Sequence, residues 1–90
     1  MGDKRDANEK ELVDIWRKLH CCWIQMDRNA GFDGVLISPF TGVHIVEVKN
    51  PDRKWKLTDA ENKTKEEVEA RGASYNIIET VEQAVKLARG

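Results

Sequence analysis

Two short segments constrain this chain more than anything else in it: residues 33–38 (Asp-Gly-Val-Leu-Ile-Ser) and 43–49 (Val-His-Ile-Val-Glu-Val-Lys). Both are rich in aliphatic and β-branched side chains, which suit a pleated, half-buried surface. Between them stands only Pro39-Phe40-Thr41-Gly42, which is turn chemistry. The two segments therefore predict an antiparallel hairpin, with strands over Asp33 to Ser38 and Val43 to Lys49.

The flanks read as helices with start signals. Asn8 with Glu11 fits an N-cap and N3 pair, opening a helix to about His20. Leu12, Ile15, Trp16 and Leu19 give it one apolar stripe at helical spacing. Cys22 to Met26 reads as a short strand, and 27–31 as a loop. Beyond the hairpin, Asn50-Pro51-Asp52 ends the strand. Thr58 with Glu61 is a capping box for a helix to about Arg71, stopped by Gly72. Ser74 to Ile78 is a fourth strand, and Thr80 with Gln83 starts a last helix. The expected order is α-β-β-β-α-β-α, a mixed α/β layer with its strands backed by helices.

The 90 residues are expected to form one domain spanning 1–90, since no material remains for a second core. A domain of this size buries only about 60–70% of its unfolded surface, so a homodimer is expected to supplement a thin core. No apolar run approaches the roughly 20 residues of a membrane span, and no membrane association is expected. The charged N-terminus, Met1-Gly2-Asp3-Lys4-Arg5-Asp6, resembles neither a secretory signal nor a myristoylation site. Adjacent Cys21 and Cys22 are expected as reduced thiols of an intracellular protein, because neighbouring cysteines bridge only with strain. With His20 and His44 the only histidines, zinc is not expected.

Net charge is −1, from 15 basic and 16 acidic residues, so there is no bulk basic excess of the kind DNA binders usually carry. The charge is nevertheless segregated. From 49 to 56 stand Lys49, Asp52, Arg53, Lys54 and Lys56, with Trp55 among them, whereas Asp59, Glu61, Glu66, Glu67 and Glu69 follow together. One face for an anion and another for solvent would look like this.

The hairpin carries the chemistry. With the turn centred on Phe40, Ser38 faces Gly42 and Asp33 faces Glu47; a two-residue turn at Phe40-Thr41 would instead set Asp33 opposite Val48. In the first register the two carboxylates share a face, roughly 4.5–5.5 Å apart at Cβ. Lys49, two residues beyond Glu47, points the same way. Opposed like charges among Val35, Leu36, Ile37, Ile45, Val46 and Val48 need compensation, and a divalent cation supplies it. Mg²⁺ or Mn²⁺ with Asp33, Glu47 and the backbone carbonyl of Val48 as ligands is the expectation. Lys49 would then orient water or stabilise charge on a phosphate. The plainer reading makes Asp33 a strand-start residue, and Glu47 with Lys49 a solvated face. His44 should point away from Glu47, while Trp16 and Trp23 read as core or dimer-contact aromatics.

Asp33 followed by Glu47-Val48-Lys49 resembles the core motif of the PD-(D/E)xK nuclease superfamily. Glu9-Lys10-Glu11-Leu12 is similar to the acidic helix start of archaeal Holliday-junction resolvases. Arg28-Asn29-Ala30-Gly31 resembles the segment carrying their active-site arginine. The C-terminal half, from Leu57-Thr58 and Glu61 through Gly72 and Tyr75 to Glu82, resembles VRR-NUC domains, small nucleases found alone in phages and fused within repair enzymes. Those domains usually have Pro where this chain has Phe32, and Gln where it has Glu61.

The resemblance implies a restriction-endonuclease-like fold and a Mg²⁺- or Mn²⁺-dependent DNA endonuclease. Asp33, Glu47, Lys49 and Glu9 would be catalytic, with Glu61 a capping residue or an accessory. Arg28, Lys10, Arg53, Lys54, Trp55 and Lys56 are the candidate DNA contacts, Trp55 by stacking or wedging at a distorted base step. The expected partner is branched DNA, a four-way junction above all, cut by a homodimeric resolvase inside a prokaryotic or phage-infected cell. Rival readings are a flap or nicking nuclease of phage replication or repair, and a nuclease-fold module that binds DNA without cutting. Lys49→Ala is expected to keep fold and metal but lose cutting.

Overall fold

A computed structural model of the chain describes residues 7–27 and 29–90. Its elements are α1 (Ala7–Lys18), β1 (Cys22–Gln25), β2 (Gly34–Ser38), β3 (Gly42–Val48), α2 (Asp59–Ala70), β4 (Tyr75–Ile78) and α3 (Val81–Arg89). The order is the expected α-β-β-β-α-β-α, and the strands make one four-stranded sheet, β1-β2-β3-β4. β1 and β2, and β2 and β3, pair antiparallel, and β4 joins β3 in parallel.

The hairpin has the register centred on Phe40, with Ser38 opposite Gly42 and Gly34 opposite Val46. Gly42 adopts φ 96°, a left-handed conformation that glycine takes without a Cβ clash, so the three-residue turn closes in this register. Ser38 braces it, accepting hydrogen bonds from the backbone N–H groups of Phe40 (3.0 Å) and Thr41 (3.2 Å). The two-residue alternative is excluded.

Alternation then assigns the faces. Trp23, Leu36, Val46 and Val48 point to one side, where Leu12, Val13 and Trp16 of α1 and Ala84 and Ala88 of α3 complete a buried core. Trp16 is fully buried, stacks on Trp23 with 5.1 Å between ring centroids, and donates its indole N–H to the Ala84 carbonyl at 2.9 Å. Both tryptophans are thus core residues. Gly34 makes room for them: a Cβ there would lie 2.5 Å from the Trp23 ring.

Both C-terminal helices start at the expected capping boxes, Thr58 with Glu61 and Thr80 with Gln83. The first helix differs. It already includes Ala7, so Asn8 is a helical residue and not its cap. The Asn8 side chain instead donates to the carbonyls of Lys49 and Glu79, both at 3.1 Å, tying α1 to the ends of β3 and β4. The helix also stops at Lys18, two residues before His20, which takes a left-handed φ of 68°. Cys21 is buried, Cys22 exposed, and both are free thiols.

Toward the other face turn Ile24, Val35, Ile37, Val43, Ile45 and Glu47. α2 lies over the Glu47 end of that face, leaving Ile24, Ile37 and Val43 exposed. Among the described residues no helix is long and apolar enough to cross a membrane.

Candidate metal and nucleic-acid site

The backbone first brings Asp33 and Glu47 together. Just before the start of β2, Asp33 N–H donates to the carbonyl of Val46, the residue paired with Gly34, at 3.0 Å. Its carboxylate Oδ2 accepts the Val48 N–H at 2.7 Å, a short charge-assisted bond that fixes the carboxylate over β3. Glu47 is only 3% exposed. Oε2 of Glu47 lies 3.2 Å from the Lys49 ammonium, whereas Oε1 is buried with no hydrogen-bond partner.

Lys49 is held on several sides. Its Nζ is 2.9 Å from Glu61 Oε1, and the ammonium lies over the Trp55 ring, 5.9 Å from the centroid. Glu61 is the capping residue that the sequence predicts, and it also pairs with Lys49. The same Oε1 accepts the Thr58 backbone N–H at 2.9 Å, closing the capping box, and binds Lys49. The turn of α2 that the box fixes is what aims Glu61 at the sheet.

The electrostatics follow from this crowding. Burial, then the Asp33 charge, then hydrogen bonding and charge from Glu61 push the Glu47 carboxyl up to about 9, more than the Lys49 cation can offset. Burial disfavours the Lys49 charge, but hydrogen bonding to Glu61 and the charges of Glu47 and Glu61 outweigh it and raise the Lys49 pKa. Burial likewise opposes ionisation of Glu61, yet the Thr58 N–H and the Lys49 ammonium hold its carboxyl below the ordinary range. Burial raises the Tyr75 phenol, and the three carboxylates add to it. Tyr75 donates its hydroxyl to the Gly31 carbonyl at 2.6 Å, pinning the loop that leads into Asp33.

The Glu47 shift has a consequence for stability. The unfolded chain gives up this proton near 4.5, the folded chain only near 9. Between those values the folded state binds more protons, so stability falls as pH rises. Glu61 acts only at the acid end, where its contribution is lost as pH drops, and Lys49 acts only in more alkaline solution. Thermal melts of the metal-free protein should therefore show Tm falling by several degrees between about pH 7 and about pH 9. A flat profile would rule out a proton held on Glu47.

The remaining candidates are more dispersed. Glu9 is buried at 5% exposure, and its Oε2 accepts a hydrogen bond at 3.0 Å from Gln25 Nε2, which also donates to the Asp33 carbonyl at 3.2 Å. Among the described residues no three histidine, cysteine, aspartate or glutamate side chains gather as a ready metal cluster, so Asp33 and Glu47 stand as a pair. Lys10 is exposed on α1, 3.7 Å from Asp14. Arg53, Lys54 and Lys56 are exposed around Trp55, whose indole N–H donates to Glu79 Oε2 at 2.8 Å. Trp55 is 40% exposed. Arg28 lies outside the described residues. His44 points to the other face, hydrogen-bonded to Thr41 Oγ1 at 2.8 Å, and burial lowers its pKa.

Sequence reasoning missed Gln25, Tyr75 and Glu79. A lone polar residue on a short strand, an aromatic at a strand start and an acid before a helix cap each have ordinary local explanations. Only the tertiary placement links them to the site.

The donor set suits a hard divalent cation. A buried carboxylate oxygen without a donor, on a group repelled by a second carboxylate, is the kind of defect that Mg²⁺ or Mn²⁺ removes.

Comparison with known proteins bears on the fold. The chain superposes on a solved structure described as a VRR_NUC domain with a TM-score of 0.66 and 22% sequence identity. The match covers 88% of this chain and 87% of that one. The fold is thus that of a VRR-NUC domain, a mixed sheet flanked by helices. No family model matches the sequence, and no curated protein does.

Proposed function

We propose that the chain is a metal-dependent DNA endonuclease acting on branched DNA, as a homodimeric Holliday-junction resolvase. The observation that carries this reading is the apposition of Asp33 and Glu47 across the hairpin, with Lys49 on the same face and Glu47 Oε1 buried without a partner. The VRR-NUC fold supports it. Asp33, Glu47 and the backbone carbonyl of Val48 would hold Mg²⁺ or Mn²⁺. Once bound, such an ion supplies Lewis acidity toward a phosphodiester and lowers the pKa of attacking water.

The chain's own residues do the rest. Lys49, kept cationic by Glu61, orients a water and stabilises negative charge on the phosphate. Arg53, Lys54 and Lys56 contact the backbone of the DNA, with Lys10 and Arg28 at its margins. Trp55, partly exposed beside them, is placed to stack on an unpaired or distorted base. Glu9 completes the acidic rim.

Dimerisation is supported by the uncovered sheet face, where Ile24, Ile37 and Val43 are 45%, 37% and 67% exposed. Two copies joined on a two-fold axis would carry two sites for the paired nicks that a four-way junction requires. A dimer mass by light scattering is expected, falling to a monomer in Ile37→Lys. A monomeric wild type would leave the chemistry but remove the symmetric arrangement.

The deciding experiment is cleavage of an end-labelled four-way junction beside matched duplex, flap and single strand, with Mg²⁺ or Mn²⁺ and then with EDTA. Paired nicks on the junction alone, lost in EDTA, are the expected result. Cutting of flaps, or of every substrate, would move the role to general processing in replication or repair. Binding without cutting would make the chain a DNA-binding module.

A further inference from the structure

Gln25 links two of the candidate site residues, Glu9 and Asp33, although its sequence context marks it for no such role. It stands at the end of β1 on the same face as Trp23, and all its amide atoms are engaged. Trp23 donates its indole N–H to Gln25 Oε1 at 3.0 Å. An indole nitrogen can only donate, so the contact fixes which end of the amide is oxygen. Nε2 is then the end that donates to Glu9 Oε2 at 3.0 Å and to the Asp33 carbonyl at 3.2 Å.

The anchor behind this amide is rigid. Trp23 is 9% exposed, stacked on the fully buried Trp16, and seated against Gly34, where any Cβ would collide with its ring. The orientation is thus passed from the core, through the indole, to one amide group. That amide joins a carboxylate from α1 to the backbone of the residue whose own carboxylate sits over β3.

We infer that Gln25 is a positioning residue of the candidate metal site, its amide set by Trp23 and holding Glu9 against the backbone of Asp33. The inference rests on the nuclease reading above. Gln25 touches no substrate in this scheme; it acts through Glu9 and Asp33. Residues one step removed from a metal typically alter its affinity 10–100-fold.

The test uses Gln25→Met, which keeps the length of the side chain without its amide, together with Glu9→Gln and the double variant. Binding of Mn²⁺ to the DNA-free protein is measured by calorimetry, and junction cutting is followed as a function of Mn²⁺ concentration. Gln25→Met should weaken Mn²⁺ binding about 10-fold and shift the metal dependence of cutting by the same factor. Cutting at saturating metal should recover most of its rate, which a merely misfolded variant would not show. In the Glu9→Gln background the Gln25 substitution should add little further loss, because the two act as one unit.

One measurement needs no variant. The Trp23 indole N–H, observed by NMR in the metal-free wild type, should exchange slowly with solvent. Rapid exchange there, or unchanged Mn²⁺ affinity in Gln25→Met, would overturn the inference while leaving the nuclease reading intact. A wild-type chain that binds no Mn²⁺ at all would overturn both.

Discussion

Glu47→Gln is expected to abolish metal-dependent cutting and, at the same time, to raise the melting temperature of the metal-free protein. These effects have opposite signs for one reason. The Glu47 carboxyl is almost wholly buried, its Oε1 has no donor, and Asp33 and Glu61 both repel its charge. An ionised group in such a place is costly to fold around. Glutamine has nearly the same shape, carries no charge, and brings an N–H that Asp33 or Glu61 could accept. A Tm gain of about 5 °C at pH 8, shrinking as pH falls toward 4.5 and the proton that folding places on Glu47 becomes easier to supply, is the expected stability result.

Cutting should fall more than about 100-fold, beyond what loss of a group one step from a metal produces. Lower Tm together with lost cutting would make Glu47 a structural residue. Unchanged cutting would remove it from the site altogether. The stability gain also bears on the assignment, since proteins keep a destabilising buried charge chiefly where activity needs it.

Much of this arrangement was legible in the sequence because it is local. The hairpin turn lies within a few residues of the strands it joins, and Gly42 at φ 96° suits the register from Ser38 opposite Gly42 to Gly34 opposite Val46, at whose end Asp33 comes near Glu47. The capping boxes at Thr58 and Thr80 lie within single turns, so helix starts were readable to the residue. Asn8 shows where this reasoning ends. Its spacing to Glu11 is that of a cap, but its amide is used across 41 and 71 residues of sequence, on Lys49 and Glu79. Gln25 fails for the same reason. Nothing near it in sequence announces a tether between α1 and Asp33. Glu61 was readable as a cap, whereas its hold on Lys49 depends on α2 lying over the sheet.

Lys49→Ala is expected to lose cutting, and also to destabilise the metal-free protein strongly. The sequence alone suggested intact fold and metal binding, since the ligands survive. The surroundings of the ammonium change that expectation. The Lys49 side chain is only 12% exposed, 2.9 Å from Glu61 and 3.2 Å from Glu47, with the Trp55 ring above it. Removing one partner of a buried ion pair, and so leaving the other charge uncompensated, typically costs about 3–5 kcal/mol. Here Glu61 loses its cation beside the charge on Asp33, and Glu47, its carboxyl pushed up to about 9, loses the ammonium that holds its Oε2.

For a domain of this size the loss corresponds to a Tm drop on the order of 15–25 °C at pH 8. Two further results would assign it to charge and not to lost packing. Mg²⁺ should restore part of the stability, because a cation again sits among the carboxylates. Lys49→Ala combined with Glu61→Gln should also melt higher than Lys49→Ala alone, since one stranded charge is gone. That recovery will be incomplete if Glu61→Gln weakens the α2 cap. Neither change should bring back cutting. A Lys49→Ala protein as stable as wild type would show that the ammonium contributes nothing to the fold, and one that cuts at the wild-type rate would remove Lys49 from the mechanism.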